Sequence, residues 1–368
     1  MRGREYVIAV LPGDGIGPEV VVETLKALNA AAAADGLRLQ FSEYPCGAGC
    51  YLKCGTPLPQ KTLAACRQAD AVLLGAMGLP DVRWPDGTEM RPQVDLRFEL
   101  DLYAGVRPIY LFDARHTPLK GMERGSIDLV ILRENVEGLF ASMNAGIRLR
   151  DEVAVDSMVI TRSGTERVVR YAFELALRRG RQPMKVTCVD KANIFKSMAF
   201  FRSIFDRIGA QYPQVEREYA YIDALALHMV RRPASFDVMV MENMYGDIIS
   251  DLAAGLVGGM GMAPSGDIGD DAAVFQPSHG TAPDIVGQGT SNPVATILSG
   301  AMMLDWLGNR HQDPAACQAG QRIRAAVRTV LAVAGSGTPD LRGNMSTGQM
   351  GDAVAAAVRA AAGGHNDA

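Results

Sequence analysis

The chain has 368 residues, 48% of them hydrophobic, which is enough for about two domains with a large buried core. Its net charge is −4 with both signs mixed throughout, so nothing favours a nucleic-acid partner, while a few local arginines still suffice for a small anionic ligand. No run of about 18 apolar residues occurs, and no small-residue cleavage site follows Met1-Arg2-Gly3-Arg4-Glu5; neither a membrane span nor a signal peptide is expected, and the cytoplasm is the expected compartment.

In chain order, Tyr6 to Leu11 reads as a strand that turns at Pro12-Gly13-Asp14-Gly15, with helical spacing from Pro18 to about Ala34. The glycines of Gly13-Asp14-Gly15-Ile16-Gly17 lack the G-x-G-x-x-G spacing of a dinucleotide fingerprint, so the segment is a tight strand-to-helix turn near a ligand at most. Cys46, Cys50 and Cys54 are four apart among Gly47, Gly49, Gly55 and Pro57, with no nearby His; free thiols are expected there rather than a metal cluster. Further buried strands are expected at Ala71 to Leu74, ending at Gly75, and at Leu129 to Leu132, ending at Arg133. Ser163-Gly164-Thr165-Glu166 has the form of a capping box before a helix. Two more strands follow, Val186 to Val189 ending at Asp190-Lys191, and Val238 to Met241 ending at Glu242-Asn243. The Ala-rich segment after Asp352 reads as a helix that frays at Gly363-Gly364-His365.

Short continuous apolar runs separated by helices predict an α/β protein with a largely parallel sheet. Ligands in such sheets bind outside the carboxyl ends of the strands, which directs attention to Gly75, Arg133, Lys191 and Asn243.

Asp247 and Asp251 are four residues apart, on one face if the segment is helical, among Ile248, Ile249, Leu252 and Ala253. Two readings stand side by side: a pair that a hard divalent cation would neutralise, or a pair that favours a helix N-terminus. Asp223 is another acid in an apolar run, and Lys191 follows a buried strand, where desolvation would suit it to proton transfer. Arg97, Arg107 and Arg133 offer planar forks for carboxylates, with surface ion pairs as the plainer alternative. His279-Gly280-Thr281-Ala282-Pro283-Asp284, continued by Gly287, Gly289 and Asn292-Pro293, is a constrained loop able to hold an adenosine, or simply a structural loop.

Taken together, Leu11-Pro12-Gly13-Asp14-Gly15-Ile16-Gly17-Pro18-Glu19, Asp190-Lys191-Ala192-Asn193, Tyr245-Gly246-Asp247-Ile248-Ile249-Ser250-Asp251-Leu252 and His279-Gly280-Thr281-Ala282-Pro283-Asp284 resemble the isocitrate and 3-isopropylmalate dehydrogenases, the β-decarboxylating dehydrogenases. The resemblance runs over nearly the whole chain, to Met350-Gly351-Asp352-Ala353-Val354. It implies a fold other than the standard Rossmann fold, with a large cofactor-binding domain from residues 1–102 and 258–368. A smaller α/β domain, 103–257, would carry the dimer interface and the metal-binding residues. It implies a homodimer with shared active sites and no nucleic-acid or membrane partner. By resemblance, Asp247 and Asp251 ligate Mg²⁺ or Mn²⁺ with Asp223 from the second subunit, and Lys191, also from that subunit, removes the substrate hydroxyl proton. Arg97, Arg107, Arg133 and Gln93 would bind an anionic 2-hydroxy acid; Ala76, His279, Gly280, Asp284 and Asn292 would bind NAD. Asp284-Ile285 stands where NADP-using relatives carry Lys-Tyr, and a carboxylate there disfavours a 2′-phosphate.

Two departures from the family pattern bear on chemistry. Phe140 stands where a tyrosine is usual and has no hydroxyl to protonate the carbon left after CO₂ departs. Gln93 and Val94 stand where isopropylmalate enzymes present two leucines, which favours a polar or anionic 3-substituent. The implied reaction is NAD- and metal-dependent oxidative decarboxylation of a 3-substituted malate. The alternatives are a D-malate- or tartrate-like dehydrogenase and a non-catalytic regulatory subunit of a heteromeric isocitrate enzyme.

Overall fold

The computed structural model describes residues 4–143 and 145–363. In chain order the first hundred residues form β1 (Glu5–Gly13), α1 (Gly17–Asp35), β2 (Arg38–Glu43), α2 (Ala48–Cys54), α3 (Gln60–Gln68), β3 (Ala71–Ala76) and α4 (Pro92–Glu99). Next come β4 (Ala104–Tyr110), β5 (Asp128–Glu134), β6 (Ile147–Leu149), β7 (Val153–Val155), α5 (Arg162–Arg179), β8 (Lys185–Asp190), α6 (Lys196–Gly209), β9 (Glu216–Tyr221), α7 (Ile222–Arg231), β10 (Val238–Met241) and α8 (Asn243–Gly255). The chain closes with β11 (Pro264–Ile268), β12 (Ala273–Pro277), α9 (Val294–His311), α10 (Pro314–Ala332) and α11 (Thr347–Gly363). Gly364 and His365, where fraying is expected, lie outside the described residues.

The chain divides into two compact units, one of residues 1–100, 258–266 and 271–368, the other of 101–257 and 267–270. In the first, the strand order is β2-β1-β3-β12-β11, and the β1–β2, β1–β3 and β3–β12 pairs are parallel. β3 is buried along its whole length, as a parallel strand covered on both faces must be. Helix α9 is buried over most of its circumference, so its apolar residues cover nearly every face rather than one stripe. Helix α1 ends at Gly36, whose φ of 70° is the left-handed cap that glycine adopts without strain.

In the second unit the order is β4-β5-β10-β8-β9; β4–β5 is antiparallel and the other pairs are parallel. Its core gathers Ile109, Leu129, Ile131, Met239, Met241, Leu225, Met229 and Ile249 from strands β4, β5 and β10 and helices α7 and α8. Burying each such side chain contributes roughly 1.5–3 kcal/mol. The core therefore fixes the strand ends without help from the polar residues that follow them. Helix α5 starts two residues earlier than the capping-box expectation: Thr161, in extended backbone at φ −103° and ψ 161°, accepts from Gly164 N, so Ser163 lies inside the helix. Strand β9 and the β6–β7 hairpin carry too few consecutive buried residues to register as apolar runs.

Candidate functional site

In the β4–β5 register, Arg107 pairs with Ile131 and Gly105 with Arg133. Directly paired residues share a face, so the two arginines are diagonal neighbours on one side of the ladder, and Gly105 leaves room for the Asn135 side chain, which a Cβ would meet at 2.7 Å. Both are buried, as is Arg97 on α4, so the surface-ion-pair alternative does not describe them. Asn243, the first residue of α8, accepts from Arg133 Nε at 2.9 Å and Nη2 at 2.7 Å and donates to the Glu137 carbonyl at 3.1 Å. Glu242 caps the same helix through Tyr245 N at 2.7 Å and Met244 N at 3.1 Å. A Cβ on Gly246 would lie 2.6 Å from Arg133 Cβ, so glycine there lets the helix approach the arginine.

One turn further along α8 are the paired carboxylates. Asp247 contacts Arg133 Nη1 and lies 3.6 Å from Arg107 Nη2; Asp251 lies 3.9 Å from Arg107 Nη1. Ser250, between them, takes a 2.5 Å hydrogen bond from Arg107 and donates to the Asp247 carbonyl. Burial pushes the Asp251 carboxyl above its ordinary value; Arg107 and Arg133 oppose that push, and the charge of Asp247 adds to it. The aspartate side chains stay 46% and 61% exposed, so their oxygens remain open to a ligand. Oxygen donors with partly relieved mutual repulsion fit a hard divalent cation. Among the described residues of one chain, no third His, Cys, Asp or Glu completes a metal-binding group.

Asp223, on the first turn of α7, instead bonds Lys191 Nζ of its own chain at 2.5 Å. Lys191 therefore meets a carboxylate where the sequence suggests an apolar surround, because β9 turns into α7 beside the end of β8. The lysine ammonium holds the Asp223 carboxyl below its ordinary value. Asp223 is also 66% exposed rather than enclosed by its apolar neighbours, which lie on other faces of the helix or point outward with it.

Phe140 lies beneath the Arg133 guanidinium, 4.9 Å from ring centroid to Cζ, so its place is taken by a cation–π contact. Glu134 follows Arg133 and is buried; its carboxylate accepts from Val136 N and Glu137 N. Burial raises its pKa from 4.5 to about 7, against the pull of those amides. A carboxyl with a raised folded-state pKa contributes stability that is complete below the unfolded value of 4.5 and lost as pH rises through about 7. Glu134→Gln is expected to flatten this loss, measured as urea midpoints on either side of that window; identical pH slopes for the two proteins would refute it.

In the first unit, three segments meet. Asp14 N donates to the Ala76 carbonyl at 2.7 Å, and Ile16 N donates to the Thr281 carbonyl at 3.0 Å. A Cβ at Gly15 would lie 2.3 Å from that carbonyl oxygen, so only glycine permits the approach. Ala76 and the His279–Asp284 loop are thus brought to one turn. Glu19 of α1 holds the loop's continuation, accepting from Gly287 N at 2.7 Å and Ser291 Oγ at 3.2 Å. Ala282 adopts φ 41° and ψ 62°, a left-handed conformation that a non-glycine residue keeps only under constraint. His279 Nδ1 meets the Gly280 carbonyl at 2.8 Å, while buried Nε2 has no partner among the described residues, and burial lowers the ring's pKa. Gly280 and Asp284 are exposed, and the backbone and carboxylate they present suit a nucleotide. The Asn292 side chain turns inward, bonding Asp340 at 3.0 Å and capping Val294 N at 3.0 Å. Gln93 lies at the start of α4 with its Oε1 buried and without a hydrogen-bond partner among the described residues.

Asn243, to which the strand-end rule directs attention, is a positioning residue, as are Ser250 and Glu19, which residue-by-residue reading missed. Asn243 follows a buried strand, and that position alone was the available signal.

The model of the family described as isocitrate/isopropylmalate dehydrogenase matches residues 7–354. A 3-isopropylmalate dehydrogenase of Moorella thermoacetica is 45% identical over 345 residues, covering 91% of this chain and 93% of its own. A homoisocitrate dehydrogenase of Methanocaldococcus jannaschii is 37% identical over 358 residues, covering 96% and 97%. The crystal structure of an isocitrate dehydrogenase from Methylococcus capsulatus superposes with a TM-score of 0.85 at 40% identity, covering 96% of this chain and 99% of that one.

Proposed function

We propose that this chain, which belongs to the isocitrate/isopropylmalate dehydrogenase family, carries out NAD- and Mg²⁺- or Mn²⁺-dependent oxidative decarboxylation of a 3-substituted malate. Membership makes it a decarboxylating dehydrogenase acting on a CH–OH group; the cofactor, the metal and the substituent are the proposal. The observation that carries it is the cluster of Asp247 and Asp251 on one face of α8 beside Arg107 and Arg133.

Asp247 and Asp251 would hold the cation, joined by Asp223 of a second copy, and the His279–Asp284 loop with Ala76 would hold the dinucleotide. Bound there, the ion supplies Lewis acidity and the nicotinamide supplies a hydride acceptor. Arg107 and Arg133 fix the substrate carboxylates by charge-assisted hydrogen bonds. Lys191 of the second copy, once its Asp223 has turned to the cation and the amine has given up a proton to solvent, takes the hydroxyl proton at Nζ as the carbon is oxidised. The resulting β-keto acid then loses CO₂. Gln93 gives the 3-substituent its character: an isopropyl group would seal the amide away without a partner, whereas a polar group satisfies it.

A homodimer is supported by the exposed faces. Asp223, Leu227 and Val230 recur at i, i+4 and i+7 along α7, and Leu227 and Val230 are exposed. The β6–β7 hairpin exposes Ile147, Leu149, Val153 and Val155, and a two-stranded ribbon is marginal alone. A second copy covering α7 would receive Asp223 with the apolar contact. No helix among the described residues is long and apolar enough to cross a membrane.

The dinucleotide assignment rests on Asp284. The expected result is a kcat/KM with NAD above that with NADP; equal or reversed values would remove NAD from the account.

A further inference from the structure

Three cysteines lie around α2, outside everything assigned above. Cys46 Sγ is 3.5 Å from Met77 Sδ and buried. Cys50 and Cys54 are different: they are one helical turn apart, and their sulfurs are in contact at 3.3 Å. Cys50 is buried and Cys54 is exposed, so one thiol of the pair meets solvent and the other waits behind it. Residues four apart on a helix have Cα atoms about 6.2 Å apart by ideal geometry, inside the span that disulfides bridge. The pair occupies the last turn of a seven-residue helix. Gly55, at φ 76°, ends it immediately, so no further turn resists a small movement of Cys54.

The same helix carries a contact with the segment ahead of Gln93. Tyr51 meets Trp84 edge to face with centroids 5.3 Å apart. Trp84 belongs to a tight loop in which its amide donates to the Thr88 carbonyl at 2.9 Å and Gly87 N donates back to the Trp84 carbonyl at 2.8 Å. Arg83 and Glu89 close the loop as an antiparallel bridge. Gln93 follows four residues after that bridge.

We propose that Cys50 and Cys54 form a redox-active dithiol that closes to a disulfide by exchange with small-molecule disulfides, and that Tyr51 transmits the closure to the Trp84 loop. The Cys54 thiolate attacks one sulfur of the reagent disulfide, breaking its S–S bond and expelling one thiolate. The Cys50 thiolate then attacks Cys54 Sγ, forming the Cys50–Cys54 bond and expelling the second thiolate. The two cysteine sulfurs lose two electrons, the reagent gains two, and the two thiol protons pass through solvent to the departing thiolates. Exposure sets the order: Cys54 meets the reagent, whereas burial and the neighbouring Cys54 sulfur push the Cys50 thiol up to about 11. In a reducing compartment such a bond is transient and regulatory rather than structural.

The test uses the full chain incubated with oxidised glutathione, then mapped by peptide mass spectrometry. The expected product is an internal Cys50–Cys54 link with no retained glutathione. Cys50→Ser is expected to stop at a glutathione adduct on Cys54, and Cys54→Ser to form no link. The chain has two tryptophans, so Trp306→Phe leaves Trp84 as the reporter. Its emission is expected to shift on oxidation and to return with dithiothreitol. Trp84→Phe, run in parallel, should abolish the redox-dependent change seen in the unaltered chain, which keeps the test open if Trp306→Phe does not fold. A stable adduct at Cys54 in the unaltered chain, or a link through Cys46 or through Cys66, a buried free thiol of α3, overturns the dithiol. A Cys50–Cys54 link with unchanged Trp84 emission overturns the transmission.

Discussion

Replacing Lys191 with methionine is expected to lower kcat by about 10²–10⁴-fold, the usual worth of a positioned proton acceptor, with a much smaller change in KM. The geometry supports a substitution this selective. Lys191 directly follows β8, and the preceding residue, Asp190, is fully buried and held by Arg202 through two 2.7 Å bonds. Asp190 also accepts from Ala192 N at 2.8 Å, which fixes the turn around the lysine independently of its side chain. Methionine keeps the unbranched length and removes only the amine. If Lys191 served solely to attract substrate, the substitution would raise KM and leave kcat intact. Steady-state kinetics on the folded variant, checked by its thermal midpoint, separates the two outcomes.

The second large effect is expected at Asp247. Asp247→Asn should weaken Mn²⁺ binding at least as much as the 10–100-fold typical of losing even an outer-sphere partner of a metal ligand. Titration of the protein by calorimetry, or by the paramagnetic signal of free Mn²⁺, reads this directly. The substitution also takes one counter-charge away from Arg133 and Arg107, both buried. A loss of folding stability alone, with Mn²⁺ affinity equal to that of the parent, would show that Asp247 serves the arginines and not a metal. Asp251→Asn provides the comparison, because Asp251 is 3.9 Å from Arg107 and less engaged by the arginines.

Much of the framework was legible because apolar runs and strand ends are local signals. The runs before Gly75, Arg133, Lys191 and Asn243 became β3, β5, β8 and β10, each within a mainly parallel arrangement. What local patterns could not reveal was side-chain company. The arginines read as surface ion pairs when taken singly, yet the β4–β5 register buries Arg107 and Arg133 beside α8. Lys191 looked like a desolvated amine, whereas the β9-to-α7 turn places Asp223 against it. Strand β9 was invisible because its sequence, Glu-Arg-Glu-Tyr-Ala-Tyr, lines a sheet edge with polar and aromatic residues. Thr161 outcompeted Ser163 as a cap because the extended backbone, which sequence alone does not report, falls two residues earlier. The sulfur contact of Cys50 and Cys54 could not be read from their spacing alone; Gly47 and Gly55 bound a short helix that brings the two thiols together.

The central claim is a coupled oxidation and decarboxylation of a 3-substituted malate, and it is tested by measuring NADH and CO₂ together. The panel is isopropylmalate, isocitrate, homoisocitrate, D-malate and tartrate, each with NAD and Mn²⁺. The account predicts equimolar NADH and CO₂ from a 3-substituted malate, with the polar substituents of isocitrate or homoisocitrate preferred at Gln93, and loss of both products when the metal is chelated. NADH without CO₂, preference for D-malate or tartrate, or turnover undiminished by chelation would contradict it.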